Sequence, residues 1–151
     1  MYRRQLVPDD FIVPRMLETA EFRMRPLTIH DVVKDFDAVI TSVDHLRSIF
    51  NDGTDWPEGL TLEENLIDLG WHHREFTIRH SFAYTVMTLD ESRSLGCAYL
   101  YPAADPAFDV DAYYWARQSE LGHGLEDRLG RAFRDWLARD WPFKRVAYPG
   151  R

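Results

Sequence analysis

Apolar and polar positions along this chain follow two rhythms, and the change of rhythm marks the elements. From Glu21 to Leu27 the period is two, with Phe22 and Met24 set against Arg23 and Arg25, which predicts a short strand. Beyond Thr28 the period becomes helical. Val32, Val33, Phe36, Val39, Ile40, Val43, Leu46, Ile49 and Phe50 fall on one face and predict one continuous helix, with Thr28 as its cap and Asp31 in its first turn. Asn51-Asp52-Gly53 ends it, and a loop runs through Trp56-Pro57-Glu58-Gly59. Thr61-Leu62-Glu63-Glu64 has the form of a capping box, so a second helix starts there and runs through Leu66 and Leu69 to about Phe76.

The period then returns to two. Phe82, Tyr84 and Val86 alternate with Ala83, Thr85 and Met87; a polar turn follows at Asp90–Ser94, and Leu95 to Tyr101 reads as the returning strand of a hairpin. Phe108 to Arg117 is a third consecutive strand. A long amphipathic helix comes next, with Leu121, Leu125, Leu129, Phe133, Trp136 and Leu137 on one side, stopped at Trp141-Pro142. Arg145 to Tyr148 predicts a last short strand. Residues 1–20, with Pro8 and Pro14 around Phe11-Ile12-Val13, read as an N-terminal arm that packs on the domain or on a neighbouring subunit; residues 21–151 read as one domain. The order is strand, two helices, three strands, helix, strand, an α/β (α+β) arrangement of helices on a sheet.

Composition narrows this picture. A chain of 151 residues with 45% hydrophobic and 14% aromatic content has enough apolar material for a single core without covalent staples. Its formal charge of −7 repels phosphate backbones and acidic lipid surfaces, so neither nucleic acid nor membrane is the expected partner. The arginines of the last helix are interleaved with Glu126, Asp127, Asp135 and Asp140 and read as a solvated face. The one cysteine, Cys97, lies in an apolar run: it is either a buried small residue or a nucleophile whose base the sequence does not identify. With no secretory signal and no apolar run of spanning length, the expected location is the cytoplasm. G-x-S-x-G, P-loop and zinc-ribbon patterns do not occur.

Candidate chemistry concentrates where the third hairpin strand turns into the last helix, Tyr113-Tyr114-Trp115-Ala116-Arg117-Gln118-Ser119-Glu120-Leu121-Gly122-His123-Gly124-Leu125-Glu126. Two glycines at a helix start permit close approach of a ligand, and free N–H groups there attract phosphate oxygens. The bland alternative is that both are tolerated first-turn residues or relieve crowding against the sheet. The succession of elements resembles the GNAT superfamily of N-acetyltransferases, over about residues 21–148. Phe82-Ala83-Tyr84-Thr85-Val86, Leu95-Gly96-Cys97-Ala98-Tyr99-Leu100-Tyr101-Pro102, Trp141-Pro142-Phe143 and Tyr148-Pro149-Gly150-Arg151 add to the likeness. In the family motif, Arg or Gln is followed, after two intervening residues, by Gly-x-Gly or Gly-x-Ala. Gly122 and Gly124 fit; Ser119 stands at the Arg/Gln position, with Gln118 and Arg117 one and two residues early, and Glu120 places a negative charge in the loop.

The resemblance implies a mixed, mainly antiparallel sheet with helices packed on its faces, and transfer of an acetyl group from acetyl-CoA, as co-substrate, to a small amine. It assigns the CoA site to Trp115, Ala116, Arg117, Gly122, His123, Gly124 and Leu125, with backbone N–H groups near Trp115 and Ala116 polarising the thioester. Asp109 and Asp111 lie where some members keep a basic carboxylate, or are strand-edge charges. Tyr148 is a candidate acid for the departing thiolate, or caps a core strand. Trp56 and His72 are candidates for the acceptor pocket; otherwise Trp56 covers the core edge and His72-His73 form a polar helix end. His72, His73 and His80 lack metal-ligand spacing, so no metal is expected. In the family a further helix and strands follow the last strand, so with Arg151 as the final residue the expectation is either that a second subunit completes the site or that the protein is a non-catalytic binding module with a degenerate CoA site. The exposed edge of the last strand leads to an expected homodimer.

Overall fold

The computed structural model describes residues 4–151. Its strands are β1 (Leu17–Glu18), β2 (Arg23–Pro26), β3 (Phe82–Met87), β4 (Ser94–Pro102), β5 (Val110–Ala116) and β6 (Val146–Ala147), and its α-helices are α1 (Val32–Ile40), α2 (Val43–Ile49), α3 (Leu62–Thr77) and α4 (Leu125–Asp140). The strands form one sheet in sequence order. Neighbours from β1 to β5 are antiparallel and β5–β6 is parallel, so the sheet is mixed and mainly antiparallel.

The capping chemistry falls where the sequence places it. Thr28 Oγ1 accepts from the His30 N–H while the Asp31 carboxylate accepts from the Thr28 N–H at 2.8 Å, opening a 3₁₀ turn at Ile29–Asp31 that runs into α1. Thr61 Oγ1 accepts from the Glu64 N–H at 3.1 Å and starts α3. The expected single helix from Thr28 to Phe50 is instead broken at Thr41-Ser42. Thr41 Oγ1 bonds back to the Asp37 carbonyl at 2.6 Å, and Ser42, fully buried, turns its hydroxyl to accept from the Gln118 N–H at 2.9 Å. Thr41 thus competes with the helical ladder, and the Ser42 N–H closes a tighter turn on the Val39 carbonyl at 3.0 Å, where α1 ends.

Helices cover both faces of the sheet, so β3 is buried along its whole length. Phe82, Tyr84 and Val86 face α4, whose Leu125, Leu129, Phe133, Trp136 and Leu137 form the opposing stripe. At Gly130 an added Cβ would lie 2.5 Å from the Tyr114 hydroxyl, so only glycine lets α4 seat this closely on β5. Ala83, Cys97, Tyr99 and Trp115 face the other way, toward Ala38 and Val39 of α1, Leu46 of α2 and Leu69 of α3. The N-terminal arm packs on this same chain: Val7 is buried, the Tyr84 hydroxyl donates to the Pro14 carbonyl at 2.6 Å, and Arg79 grips the carbonyls of Pro8 and Phe11. Among the described residues, no helix is long and apolar enough to cross a membrane.

Candidate functional site

Because strand side chains alternate, Tyr99 and Tyr101 of β4 and Tyr113 of β5 share the sheet face that α1 and α3 cover. The two helices do not close over them completely. A cavity of about 410 Å³ remains, in the size range of small-molecule sites. Phe50 and Trp56, from the segment after α2, form one side; Asp35 of α1 and Asn65, Asp68, Leu69 and His72 of α3 form the other. The rings pack edge to face and in stacks. Phe50 lies 5.7 Å from Trp56 and 5.4 Å from Tyr113, and Tyr99 stacks on Tyr101 at 5.6 Å and on His72 at 5.5 Å. Trp115 backs this wall, donating its indole N–H to the Tyr99 hydroxyl at 3.1 Å.

The cavity carries a one-sided charge pattern. Asp35 is 3% exposed. Its carboxylate accepts from Asn65 Nδ2 at 2.9 Å and from the Cys97 thiol at 3.4 Å, both neutral donors. Burial pushes its pKa up to about 6, against the pull of those two bonds. Asp68 is likewise raised by burial and by Glu64, and Asp52 stands at the rim. Among the described residues, no lysine or arginine lines the cavity. Burial lowers the His72 pKa to about 4, so its ring is neutral, and its Nδ1 is buried without a partner. The Cys97 thiol is buried and pushed up by its surroundings, which suits a core residue that donates to Asp35.

The strand-to-helix junction lies at the other edge of β5. The β5–β6 pairing covers only Val110 and Asp111, so beyond them the outer edge of β5 has lost its neighbour. Its backbone groups need partners, and side chains supply them. The Glu126 carboxylate accepts from the Ala116 N–H at 3.0 Å, and Arg151 donates to the Tyr114 carbonyl at 2.5 Å. Arg151 also pairs with Glu126 at 3.0 Å and lies over the Tyr114 ring at 4.2 Å, while His45 Nε2 meets Glu126 at 2.5 Å. Burial opposes ionisation of Glu126, but Arg151, His45 and the Ala116 N–H together hold it below the usual carboxylate range.

The junction itself corrects several expectations. Gln118–His123 is a 3₁₀ helix; its Gln118 N–H donates to the Ser42 hydroxyl and its Glu120 N–H to the Arg117 carbonyl. Only then does α4 begin, so Gly122 belongs to the 3₁₀ segment, and Gly124, at φ 74°, is the left-handed residue that joins the two. Arg117 is buried; its guanidinium donates to the Ser94 carbonyl at 2.9 Å, to Asp37 at 3.0 Å and to Thr41 at 3.2 Å. It therefore brackets α1 to β4 and does not reach outward. Leu125 is core, and the exposed His123 pairs with Glu120, which also takes Arg93.

Of the other residues singled out from sequence, Trp56 and His72 both line the cavity. His72-His73 sit before the last turn of α3, which continues to Thr77. Asp109 accepts the N–H groups of Lys144 and Arg145 at 2.7 and 2.8 Å, and Asp111 that of Ala104 at 3.1 Å; both hold loops and neither lines the cavity. Tyr148 lies on the α4 side with Arg134 over its ring at 3.8 Å. Among the described residues, no group of three or more His, Cys, Asp or Glu is placed to hold a metal ion.

The residues that sequence reading missed carry a recognisable signal. Asp35 stands three residues after Val32 and four before Val39, inside the apolar stripe of α1 rather than opposite it. Asn65, Asp68, Leu69 and His72 have the same helical spacing on α3.

No protein-family model matches the chain, and no curated protein matches it in sequence. Solved structures do match. The ribosomal-protein-S5-alanine acetyltransferase of Vibrio fischeri superposes with a TM-score of 0.64 at 15% identity, covering 82% of this chain and 67% of its own. RimL, a ribosomal L7/L12 α-N-protein acetyltransferase solved with coenzyme A, gives 0.64 at 19% identity, with 83% and 68% covered. A protein of Bordetella pertussis assigned to the GNAT family gives 0.64 at 14%, with 83% and 74% covered. With its sheet order, its covering helices and these matches, the chain has the fold of the GNAT superfamily of acetyltransferases.

Proposed function

We propose that this chain is an acetyltransferase-like protein that captures a small amine in the cavity between α1, α3 and the β4–β5 face, for acetylation by acetyl-CoA. The observation that supports this reading is the cavity itself, a well-formed concave site on a fold whose structural neighbours transfer acetyl groups. The neighbours named for their substrates act on protein N-termini or ribosomal proteins. A cavity of this size, enclosed by aromatic rings, suits a free small amine better than a long peptide.

A second reading is a binding module that uses no acyl donor. As arranged, the open edge of β5 does not fit the arm of CoA, because Glu126 and Arg151 already occupy the Ala116 N–H and the Tyr114 carbonyl. Acetyl transfer therefore requires these side chains to swing away.

Thermal unfolding in the presence of CoA and acetyl-CoA separates the two readings. A ligand at 100 times its dissociation constant adds about 2.7 kcal/mol of stability. A shift, followed by thiol release with a panel of small amines and of peptides beginning with Ala or Ser, supports acetyl transfer and identifies the acceptor class. The absence of any shift with either thioester or thiol overturns the acetyltransferase reading.

A further inference from the structure

A buried carboxylate held only by neutral donors is an expensive arrangement. Its charge is unfavourable in low dielectric, and such groups are ordinarily paired with a cation or coordinate a metal. Asp35 is buried, is ringed by Asn65 and the Cys97 thiol, and has, among the described residues, no lysine or arginine beside it in the cavity it lines. Across the same cavity stand the faces and edges of Phe50, Trp56, Tyr99 and Tyr113. Aromatic faces attract organic cations, strongly so when water is excluded. The one basic group in the wall, His72, is neutral and contributes no charge of its own.

These features have a single complement. We infer that the cavity is a receptor for a small organic ammonium with an apolar body, its charged head set against Asp35 and its body among the aromatic rings. This deepens the amine-capture reading and rests on it for location, but it stands whether or not the protein carries an acetyl group. A neutral guest of the same shape would leave the carboxylate uncompensated. An anionic guest would face Asp35, Asp68 and Asp52 together. Asp68, raised by burial and unpaired with any cation among the described residues, adds to the same field from α3.

The test compares phenethylammonium with 2-phenylethanol, nearly equal in shape but differing in charge, by calorimetric titration of the full chain without CoA. Phenethylammonium is expected to bind at least about tenfold more tightly than the alcohol. In Asp35→Asn the two should come within about threefold of each other, because only the cation loses its counter-charge. Trp56→Leu should weaken both. Equal binding of cation and alcohol by the unaltered protein, or no binding of either, overturns the inference.

Should Asp35→Asn fail to fold, the pH dependence of the unaltered protein gives the same answer. Asp35 faces Asp31 of the 3₁₀ turn, Asp68 of α3, the Cys97 thiol and, across the cavity, neutral His72. Cation affinity should fall severalfold between pH 7.5 and pH 5.5 as Asp35 takes up a proton, while alcohol affinity stays flat. Parallel curves for the two guests overturn the inference. A missing response to acetyl-CoA bears only on the acetyl-transfer reading.

Discussion

The two sides of β5 receive adjacent residues and solve opposite problems. Tyr113 points into a cavity whose polar groups are held short of full compensation; Tyr114 points at α4, beside an edge where each orphaned backbone group named here has found a side chain. Where the sheet loses its neighbour, Glu126 and Arg151 close the gap with opposite charges, and His45 meets the same carboxylate. Where the helices stand off from the sheet, Asp35 keeps a charge that nothing in the wall cancels. A site ready for a ligand is marked by what its own residues leave undone. By that measure the α1–α3 side is receptive and the β5–β6 side is shut.

The sharpest way to break this contrast is to open the shut side. Replacing Glu126 by Ala strips the partner from the Ala116 N–H, His45 and Arg151 at once. Breaking one member of a partly buried ionic cluster should cost about 3 kcal/mol, read as a lower denaturant midpoint at unchanged slope. A loss below about 1 kcal/mol would mean that water replaces the carboxylate freely and that the edge is not closed as described.

The next effect tests the receptive side through its linkage to pH. The pKa of Asp35 is raised in the folded chain, to about 6 from an ordinary 3.8. Its sign is the reverse of a salt-bridged carboxylate. The folded state holds the proton more tightly, so this group's contribution is most favourable below pH 4 and is lost as pH rises to about 6. Asp35→Asn removes the titration. The stability of the variant relative to the unaltered protein should therefore improve between pH 4 and pH 7, by roughly 2 kcal/mol. A difference that does not change with pH would show that Asp35 is not strained by burial. Excess phenethylammonium should reduce that pH dependence, since the cation supplies the missing partner.

Removal of the Arg151 side chain has a smaller effect on stability and a larger one on the meaning of the edge. Arg151→Ala deletes the bond to the Tyr114 carbonyl, the stacking over its ring and the ion pair with Glu126, which keeps the Ala116 N–H and His45, for about 1.5 kcal/mol. It also clears the place along β5 where CoA would lie on the acetyl-transfer reading. Under that reading CoA should bind the variant more tightly than the unaltered protein by about tenfold, a difference of 1.4 kcal/mol. Equal or absent binding in both supports the binding-module reading.

Much of the fold was legible because it follows from local rules. The caps at Thr28 and Thr61, the alternation through β3 and β4 and the apolar stripe of α4 each depend on neighbours within a few residues. The features that escaped depend on distant ones. Ser42, at the break between α1 and α2, meets the Gln118 N–H 76 residues away, and Arg117 turns inward to Ser94 and Asp37. The cavity-lining residues were half legible. Trp56 and His72 were singled out by position, whereas Asp35, set within an apolar stripe, carried the stronger signal: a charge that a helix would expose unless the interior had a use for it.

The smallest predicted effect asks whether affinity follows the cavity or the stability of its walls. Thr61→Ala removes the N-cap of α3 at its exposed end, two turns and more from His72 and one turn from Asn65. The loss should be about 1 kcal/mol, as for other threonine caps. No cavity-lining group is altered, so phenethylammonium should bind the folded variant as it binds the unaltered protein. If affinity falls with stability here, α3 is assembled by the ligand rather than waiting for it, and the cavity is less preformed than the packing of Leu69 against Ala83 and Trp115 implies. If affinity holds while stability falls, recognition resides in Asp35 and the aromatic wall, and the contrast between the two sides of β5 is one of local charge balance rather than of rigidity.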